Sequence, residues 1–224
     1  MSLFNVGFVL FPNLTQLDFT GPLQVLARLP DSKIHIVSKT IDPVPSDCGL
    51  GLVPTTTFDD CPQLDLICVP GGAGVATALR DTATVGFIRQ QGRGAKYVTS
   101  VCTGAFLLGA AGLLKGRKAT THWAYTELLP LVGAEHVRQR IVQDGNVTTA
   151  GGVTSGIDFG LKIVAELAGE ATAKAVQLGI EYDPAPPFQS GNPETAGADI
   201  MARVSPRYET ARGLYRAALA DLGG

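Results

Sequence analysis

The feature that most constrains this chain is an alternation of short apolar strands with helix-like segments. Four runs rich in valine and isoleucine read as buried strands: NVGFVL, KIHIVS, LDLICVP and KYVTSV. Helical periodicity follows in residues 20–29, 83–92 and 103–114. Strands that alternate with helices pair in parallel, and the helices cover both faces of the sheet. We therefore predict an α/β protein with a mostly parallel central sheet between two helical layers.

The next part of the chain adds one reversal to this pattern. In RIVQDGNVTTAGG, the turn Asp144-Gly145-Asn146 joins two alternating runs and predicts a pair of strands. Two further helices are predicted over residues 155–168 and 172–182.

The C-terminal part of the chain has a different composition. PAPPFQSGNPETAG is rich in proline and glycine and predicts an extended surface loop, followed by a last helix that Pro206 interrupts. With 224 residues, 45% of them hydrophobic, the chain can bury one sizeable core. We expect one domain over residues 1–224, in which residues 188–224 form an extension with a helix packed on the rest.

Charge and cysteine content exclude several classes of function. The formal net charge is −2 and there is no basic stripe, so nucleic acid and membrane surfaces are not expected partners. Pro12 breaks the short N-terminal apolar run, which reads as a strand and not a signal peptide, and we expect a cytoplasmic protein. The four cysteines show neither CxxC pairs nor zinc-ligand spacing, so we predict no metal site.

Cys102 lies where a buried strand runs directly into an apolar helix, in KYVTSVCTGAFLLGAAGLL. Small residues at Ser100 and Gly104 permit the sharp turn that presents a nucleophile. The N-terminus of the following helix should lower the pKa of the thiol and favour the thiolate. The alternative is a small apolar residue in a tight turn.

A glycine-rich turn follows the preceding strand in LICVPGGAGVATAL. Gly71, Gly72 and Gly74 allow backbone N–H groups to point into a cleft and stabilise negative charge. The motif lacks the residues of a phosphate loop and the spacing of a dinucleotide site, and an ordinary strand-to-helix turn is the alternative.

Two further residues are candidates for proton transfer. Asp18 follows the first strand, ahead of the predicted helix start at Thr20-Gly21-Pro22, and either shares a proton with a thiol or caps the helix. His122, in KATTHWAY, is either the partner of a Cys-His pair or a structural histidine.

Together these segments resemble the ThiJ/PfpI superfamily. The resemblance rests on FPNLTQLDFTGPLQVL, VPGGAG, SVCTGAFLLGAAGLL, ATTHWAY and TAGGVTSGIDFGL, and extends from about residue 4 to about residue 188. It implies a flavodoxin-like, class I glutamine amidotransferase-like, three-layer sandwich.

Within the superfamily, the pattern is most similar to the isonitrile hydratases. That branch implies a homodimer that hydrates an isocyanide to an N-substituted formamide through a cysteine thioimidate, with no metal or organic cofactor. It implies a nucleophile at Cys102, an essential acid at Asp18 and an assisting hydroxyl at Thr103. Gly71 and Gly72 are implied to line the substrate pocket.

Other branches remain as alternatives. The peptidase branch carries histidine directly after the cysteine, where this chain has Thr103, and other branches carry glutamate where it has Asp18. Another cysteine-dependent hydrolase is therefore less well matched. Ligand-sensing domains of AraC-type regulators share similar turns but add a helix-turn-helix part, for which the segment after PAPPF has room for only one or two helices.

Overall fold

A computed structural model describes residues 3–221 of the chain. The strands are β1 (Phe4–Val9), β2 (Ser32–Ser38), β3 (Val44–Pro45), β4 (Gly51–Leu52), β5 (Thr56–Thr57), β6 (Leu66–Val69), β7 (Tyr97–Val101), β8 (Lys118–Ala119), β9 (Glu135–His136), β10 (Ile141–Asp144) and β11 (Val147–Ala150). The helices are α1 (Gln16–Leu26), α2 (Val75–Ala78), α3 (Thr82–Gly94), α4 (Gly104–Ala110), a 3-10 helix (Trp123–Val132), α5 (Ser155–Ala168), α6 (Glu170–Gly179), α7 (Pro193–Ala196), α8 (Ala198–Val204) and α9 (Pro206–Ala220).

The main sheet has the strand order β10-β11-β7-β6-β1-β2-β5. Its pairings are parallel except for β10 with β11, which form the predicted antiparallel pair. All four residues of β6 are buried, as expected for a strand covered by helices on both faces. The predicted flavodoxin-like α/β sandwich is confirmed.

The order of the central strands brings three strand ends together. β7, β6 and β1 are neighbours, and in the register Phe8 pairs with Cys68 while Val69 pairs with Ser100. Because these strands are parallel, the turns that follow them meet at one edge of the sheet. Those turns carry the three candidate motifs.

The helices form two packed groups. In the first, α1 packs against α5, and α5 packs against α6; in the second, α4 contacts α2, α3 and the 3-10 helix. Phe8, Phe106 and Phe159 are among the largest fully buried side chains. The core therefore fills the space between the central strands and both helical layers.

The predicted start of the first helix was wrong by four residues. The presence of Pro22 favoured a start near Thr20, but α1 begins at Gln16 and contains Pro22 in its interior. Asp18 consequently lies in the first turn of α1 and not ahead of it.

The C-terminal segment contains an exposed loop and three helices. Residues 183–192 are exposed and without regular structure, which confirms the surface loop, although its end forms the short helix α7. Pro206 separates α8 from α9, at the predicted interruption. α9 packs against α2 and the 3-10 helix and buries Tyr215, Ala218 and Leu219.

Candidate active site

Cys102 forms a sharp elbow between β7 and α4. Its φ of +56° lies in the left-handed region, which L residues seldom adopt. The turn is held by the Cys102 N–H, which lies 2.8 Å from the Gly151 carbonyl oxygen, and by the Thr121 hydroxyl, which donates to the Cys102 carbonyl at 2.8 Å. A Cβ at Gly104 would collide with the backbone oxygen of Val69, so the small residue after the elbow is required.

Asp18 is fully buried at this elbow. One carboxyl oxygen, Oδ2, accepts a hydrogen bond from the Gly71 N–H at 2.9 Å, and Oδ1 has no hydrogen-bond partner among residues 3–221. Thr15 occupies the N-cap position of α1. The helix-capping alternative for Asp18 is therefore wrong.

Asp18 and Cys102 are close enough to shift each other's pKa. Burial raises the pKa of Asp18 to about 7, opposed by the Gly71 N–H and the Cys102 thiol, which stabilise the carboxylate. At neutral pH the carboxyl group is therefore poised between its two protonation states.

The predicted lowering of the Cys102 pKa is not observed. The residue is only 5% exposed, and burial, followed by the negative charge of Asp18, raises the pKa of the thiol well above its usual range. A hydrogen bond from the Thr103 backbone N–H favours the thiolate but is outweighed. The elbow therefore holds Cys102 as a neutral thiol beside a carboxyl group.

The glycine-rich turn is bound to the same groups. The Gly72 N–H donates to the Thr103 Oγ1 at 3.0 Å, while the Gly71 N–H donates to the Asp18 Oδ2. A Cβ at Gly71 would lie 2.5 Å from the Thr103 nitrogen and 3.0 Å from the Asp18 Oδ2. The structure thus brings together all five predicted site residues: Cys102, Asp18, Thr103, Gly71 and Gly72.

His122 lies beside the elbow in a structural arrangement. Its Nδ1 accepts the Ala124 N–H at 3.3 Å, and its ring lies 5.5 Å from that of Trp123 and 5.3 Å from that of Tyr208, measured between centroids. Burial lowers the pKa of His122 to about 4, so the ring is neutral at pH 7. These contacts favour the structural interpretation over a Cys-His pair.

A cavity of about 760 Å³ adjoins the elbow. Its lining includes Thr121, His122, Trp123 and Gly151. Because Thr121 and Gly151 are hydrogen-bonded to the Cys102 backbone, this cavity borders the Cys102 elbow. Its mixed polar and aromatic wall can receive the organic part of a small molecule.

Sequence reasoning missed Tyr215, which reaches the site from α9. Its hydroxyl oxygen lies 2.7 Å from the Gly72 carbonyl oxygen and 3.1 Å from the Thr103 Oγ1. Tyr215 and Thr103 are 112 residues apart, and the local sequence around Tyr215 carries no motif that predicts this contact.

Across residues 3–221, no group of three or more histidine, cysteine or acidic residues is arranged to hold a metal ion. No described helix is long and apolar enough to span a membrane.

The fold and site define an α/β protein with a buried cysteine at a strand-to-helix elbow and a carboxyl group beside it. The profile of the DJ-1/PfpI family matches residues 5–166, and the chain belongs to this family. An isonitrile hydratase of Pseudomonas putida is 57% identical over 202 residues, which cover 90% of this chain and 89% of that protein. The predicted family and its isonitrile hydratase branch are confirmed.

A solved structure and a transcriptional regulator are also similar to this chain. A crystal structure of a ThiJ/PfpI family protein from Pseudomonas syringae superposes with a TM-score of 0.95 at 42% identity, covering 98% of this chain and 91% of that one. The HTH-type transcriptional regulator GbdR of Pseudomonas aeruginosa is 28% identical over 190 residues. That match covers 80% of this chain but only 51% of the regulator.

Proposed function

We propose that this protein is an isonitrile hydratase, which adds water to an isocyanide, R–N≡C, to give the formamide R–NH–CHO. The observation that carries the proposal is the 57% identity to an isonitrile hydratase over about nine tenths of both chains. The arrangement of Cys102, Asp18 and Thr103 supplies a nucleophile, a base and a hydroxyl at one point, which suits covalent catalysis of this addition.

The first step joins the thiol to the isocyanide. Asp18, as the carboxylate, removes the proton from Cys102, and the thiolate sulfur forms a bond to the terminal carbon. The protonated Asp18 then delivers this proton to the same carbon. The product is a thioimidate, R–N=CH–S–Cys102, in which the elements of the thiol have added across the carbon.

The second step restores the enzyme. Asp18 takes a proton from water as the water oxygen adds to the thioimidate carbon, and then gives this proton to the nitrogen. The carbon–sulfur bond of this adduct breaks as the C=O bond forms, and the remaining hydroxyl proton returns to the sulfur. Atoms and charge balance over the cycle, and one carboxyl group acts as base and acid in turn.

A ligand sensor is the second candidate function. It is favoured by the 28% identity to a transcriptional regulator over 80% of this chain. A sensor would bind an isocyanide-like molecule in the cavity without converting it. Turnover therefore separates the two proposals.

We further propose that the enzyme is a cytoplasmic homodimer that uses neither metal nor organic cofactor.

The decisive experiment mixes the purified protein with cyclohexyl isocyanide and follows formamide formation. Cys102→Ala should remove turnover, whereas Cys48→Ala, which removes an exposed thiol, should retain it. During turnover, intact-mass spectrometry should detect a protein adduct heavier by one isocyanide, and Cys102→Ala should not form it. No turnover by the native protein over several isocyanides would refute the hydratase, and equal turnover by Cys102→Ala would refute the nucleophile.

The role of Asp18 has a separate test. Asp18→Ala should keep the fold, as judged by circular dichroism, and lose most of the turnover because no other base adjoins the thiol in the proposed mechanism. Loss of one proton-transfer group costs roughly 10²–10⁴-fold in rate. Native-like turnover by Asp18→Ala would contradict the proposed proton transfers.

A further inference from the structure

Three hydrogen-bonding contacts join α9, the turn that precedes α2 and the elbow to one another. The Gly72 N–H donates to the Thr103 Oγ1 at 3.0 Å. The Tyr215 hydroxyl oxygen lies 2.7 Å from the Gly72 carbonyl oxygen and 3.1 Å from the Thr103 Oγ1. Tyr215 is 2% exposed, so water does not compete for these contacts.

The chemistry of the three groups fixes where the protons lie. The Gly72 carbonyl can only accept, so the single phenolic proton of Tyr215 serves the shorter, 2.7 Å contact. The contact between Tyr215 and Thr103 is then made by the Thr103 proton, and Thr103 in turn accepts the Gly72 N–H. The Thr103 and Tyr215 hydroxyls thus each accept one hydrogen bond and donate one, and they close a ring of contacts that begins at the Gly72 N–H and ends at the Gly72 carbonyl. Successive hydrogen bonds of this kind strengthen one another.

We infer that Tyr215 is a positioning residue of the proposed hydratase site, holding the glycine-rich turn and the Thr103 hydroxyl in register with Asp18 and Cys102. The inference rests on the proposed function. Fixing Gly72 also fixes Gly71, whose N–H donates to Asp18. Fixing Thr103 orients the hydroxyl that follows the nucleophile in sequence.

Tyr215 lies beyond residues 5–166, the part of the chain that matches the family profile. The C-terminal helix α9 therefore contributes to an active site whose other members come from the shared domain. The tyrosine ring is held independently of its hydroxyl, with centroids 5.5 Å from Phe106 and 4.9 Å from Tyr125. Burial raises the pKa of Tyr215 above its usual range, so its hydroxyl stays neutral and acts as a hydrogen-bonding group.

The test is Tyr215→Phe, which removes the hydroxyl and keeps the ring packing. We expect kcat for cyclohexyl isocyanide to fall roughly 10- to 100-fold, the cost of a small misplacement of catalytic groups, with KM nearly unchanged. The pKa seen in the pH profile of kcat/KM should rise, because a relaxed turn weakens the Gly71 hydrogen bond that lowers the pKa of Asp18. Tyr97→Phe, at the opposite end of β7 from Cys102, is the control.

A second measurement separates this inference from the hydratase proposal. Iodoacetamide alkylates Cys102 at a rate that depends on the protonation of the Cys102–Asp18 pair, and this reaction needs no turnover. The pH profile of the alkylation rate should shift in Tyr215→Phe but not in Tyr97→Phe. If native protein does not hydrate isocyanides but this shift appears, the function fails and the positioning role stands. Unchanged alkylation and kinetic profiles in Tyr215→Phe would overturn the inference.

Coupling provides a check from the other side of the ring. Thr103→Val removes the partner hydroxyl with little change in volume. In that background, Tyr215→Phe should reduce kcat by less than it does in the native protein, because both substitutions disrupt the same set of hydrogen bonds. Independent, multiplying losses would show that Tyr215 does not act through Thr103.

Discussion

Ionising Asp18 should destabilise the folded protein, and Asp18→Asn should remove this cost. The asparagine keeps an oxygen that can accept the Gly71 N–H, but it carries no charge at any pH. Asp18 has a pKa of about 7 in the fold, against 3.8 for the ordinary side chain that represents the unfolded chain. The contribution of Asp18 to the free energy of unfolding is therefore most favourable below pH 3.8 and is lost as the pH rises towards 7.

The size of the effect follows from the pKa difference. Between the two pKa values the unfolded chain has released the proton that the folded protein still holds, so each pH unit costs about 1.4 kcal/mol of unfolding free energy. From about pH 5 to about pH 8, the native protein should lose about 3 kcal/mol relative to Asp18→Asn. The complete burial of Asp18 means that solvent does not screen this cost.

Urea unfolding of both proteins across this pH range measures the difference directly. Asp59→Asn, which removes an exposed carboxyl group, controls for the change of charge alone. The difference in free energy of unfolding between Asp18→Asn and the native protein should increase as pH rises, in favour of Asp18→Asn. This difference should become constant above about pH 7. A difference that stays flat with pH would show that Asp18 is already ionised in the fold and would refute the burial argument.

Two predictions concern catalysis. The kcat/KM for isocyanide hydration should rise with pH through an apparent pKa near 7, since the reactive state pairs an Asp18 carboxylate with a Cys102 thiol; a profile that falls through that region would reverse the assigned roles. Gly71→Ala should lower kcat by roughly 100-fold, because its Cβ would press on Thr103 and Asp18. Gly86→Ala, where a Cβ meets open space, should leave kcat unchanged. Full activity in Gly71→Ala would contradict the close approach of these residues.

The sequence was sufficient to predict the convergence of three distant turns. Alternating strands and helices imply parallel pairing, and parallel pairing places successive strand ends at one edge of the sheet. The elbow at Cys102, the glycine-rich turn and the segment around Asp18 therefore had to lie near one another if their strands were neighbours. The observed order β7-β6-β1 fulfils that condition.

Long-range packing set the properties that the sequence did not predict. The helix position of Asp18 depended on Pro22 being tolerated inside α1, and the contact from Tyr215 depended on how α9 docks. Local propensity contains neither fact. The direction of the Cys102 pKa shift was mispredicted for the same reason, because the degree of burial is a property of the whole fold.

The raised pKa of Cys102 determines how the proposed nucleophile would be activated. A thiol with a lowered pKa would be a thiolate at rest and would need only a proton donor. Here burial and the charge of Asp18 keep Cys102 protonated, so in the proposed mechanism the thiolate nucleophile and the protonated Asp18 acid are generated together by proton transfer within the pair. The same proton that leaves the sulfur is then the one that the isocyanide carbon requires. A buried carboxyl group with a pKa near neutrality is suited to both steps, because it can release the proton as readily as it takes it.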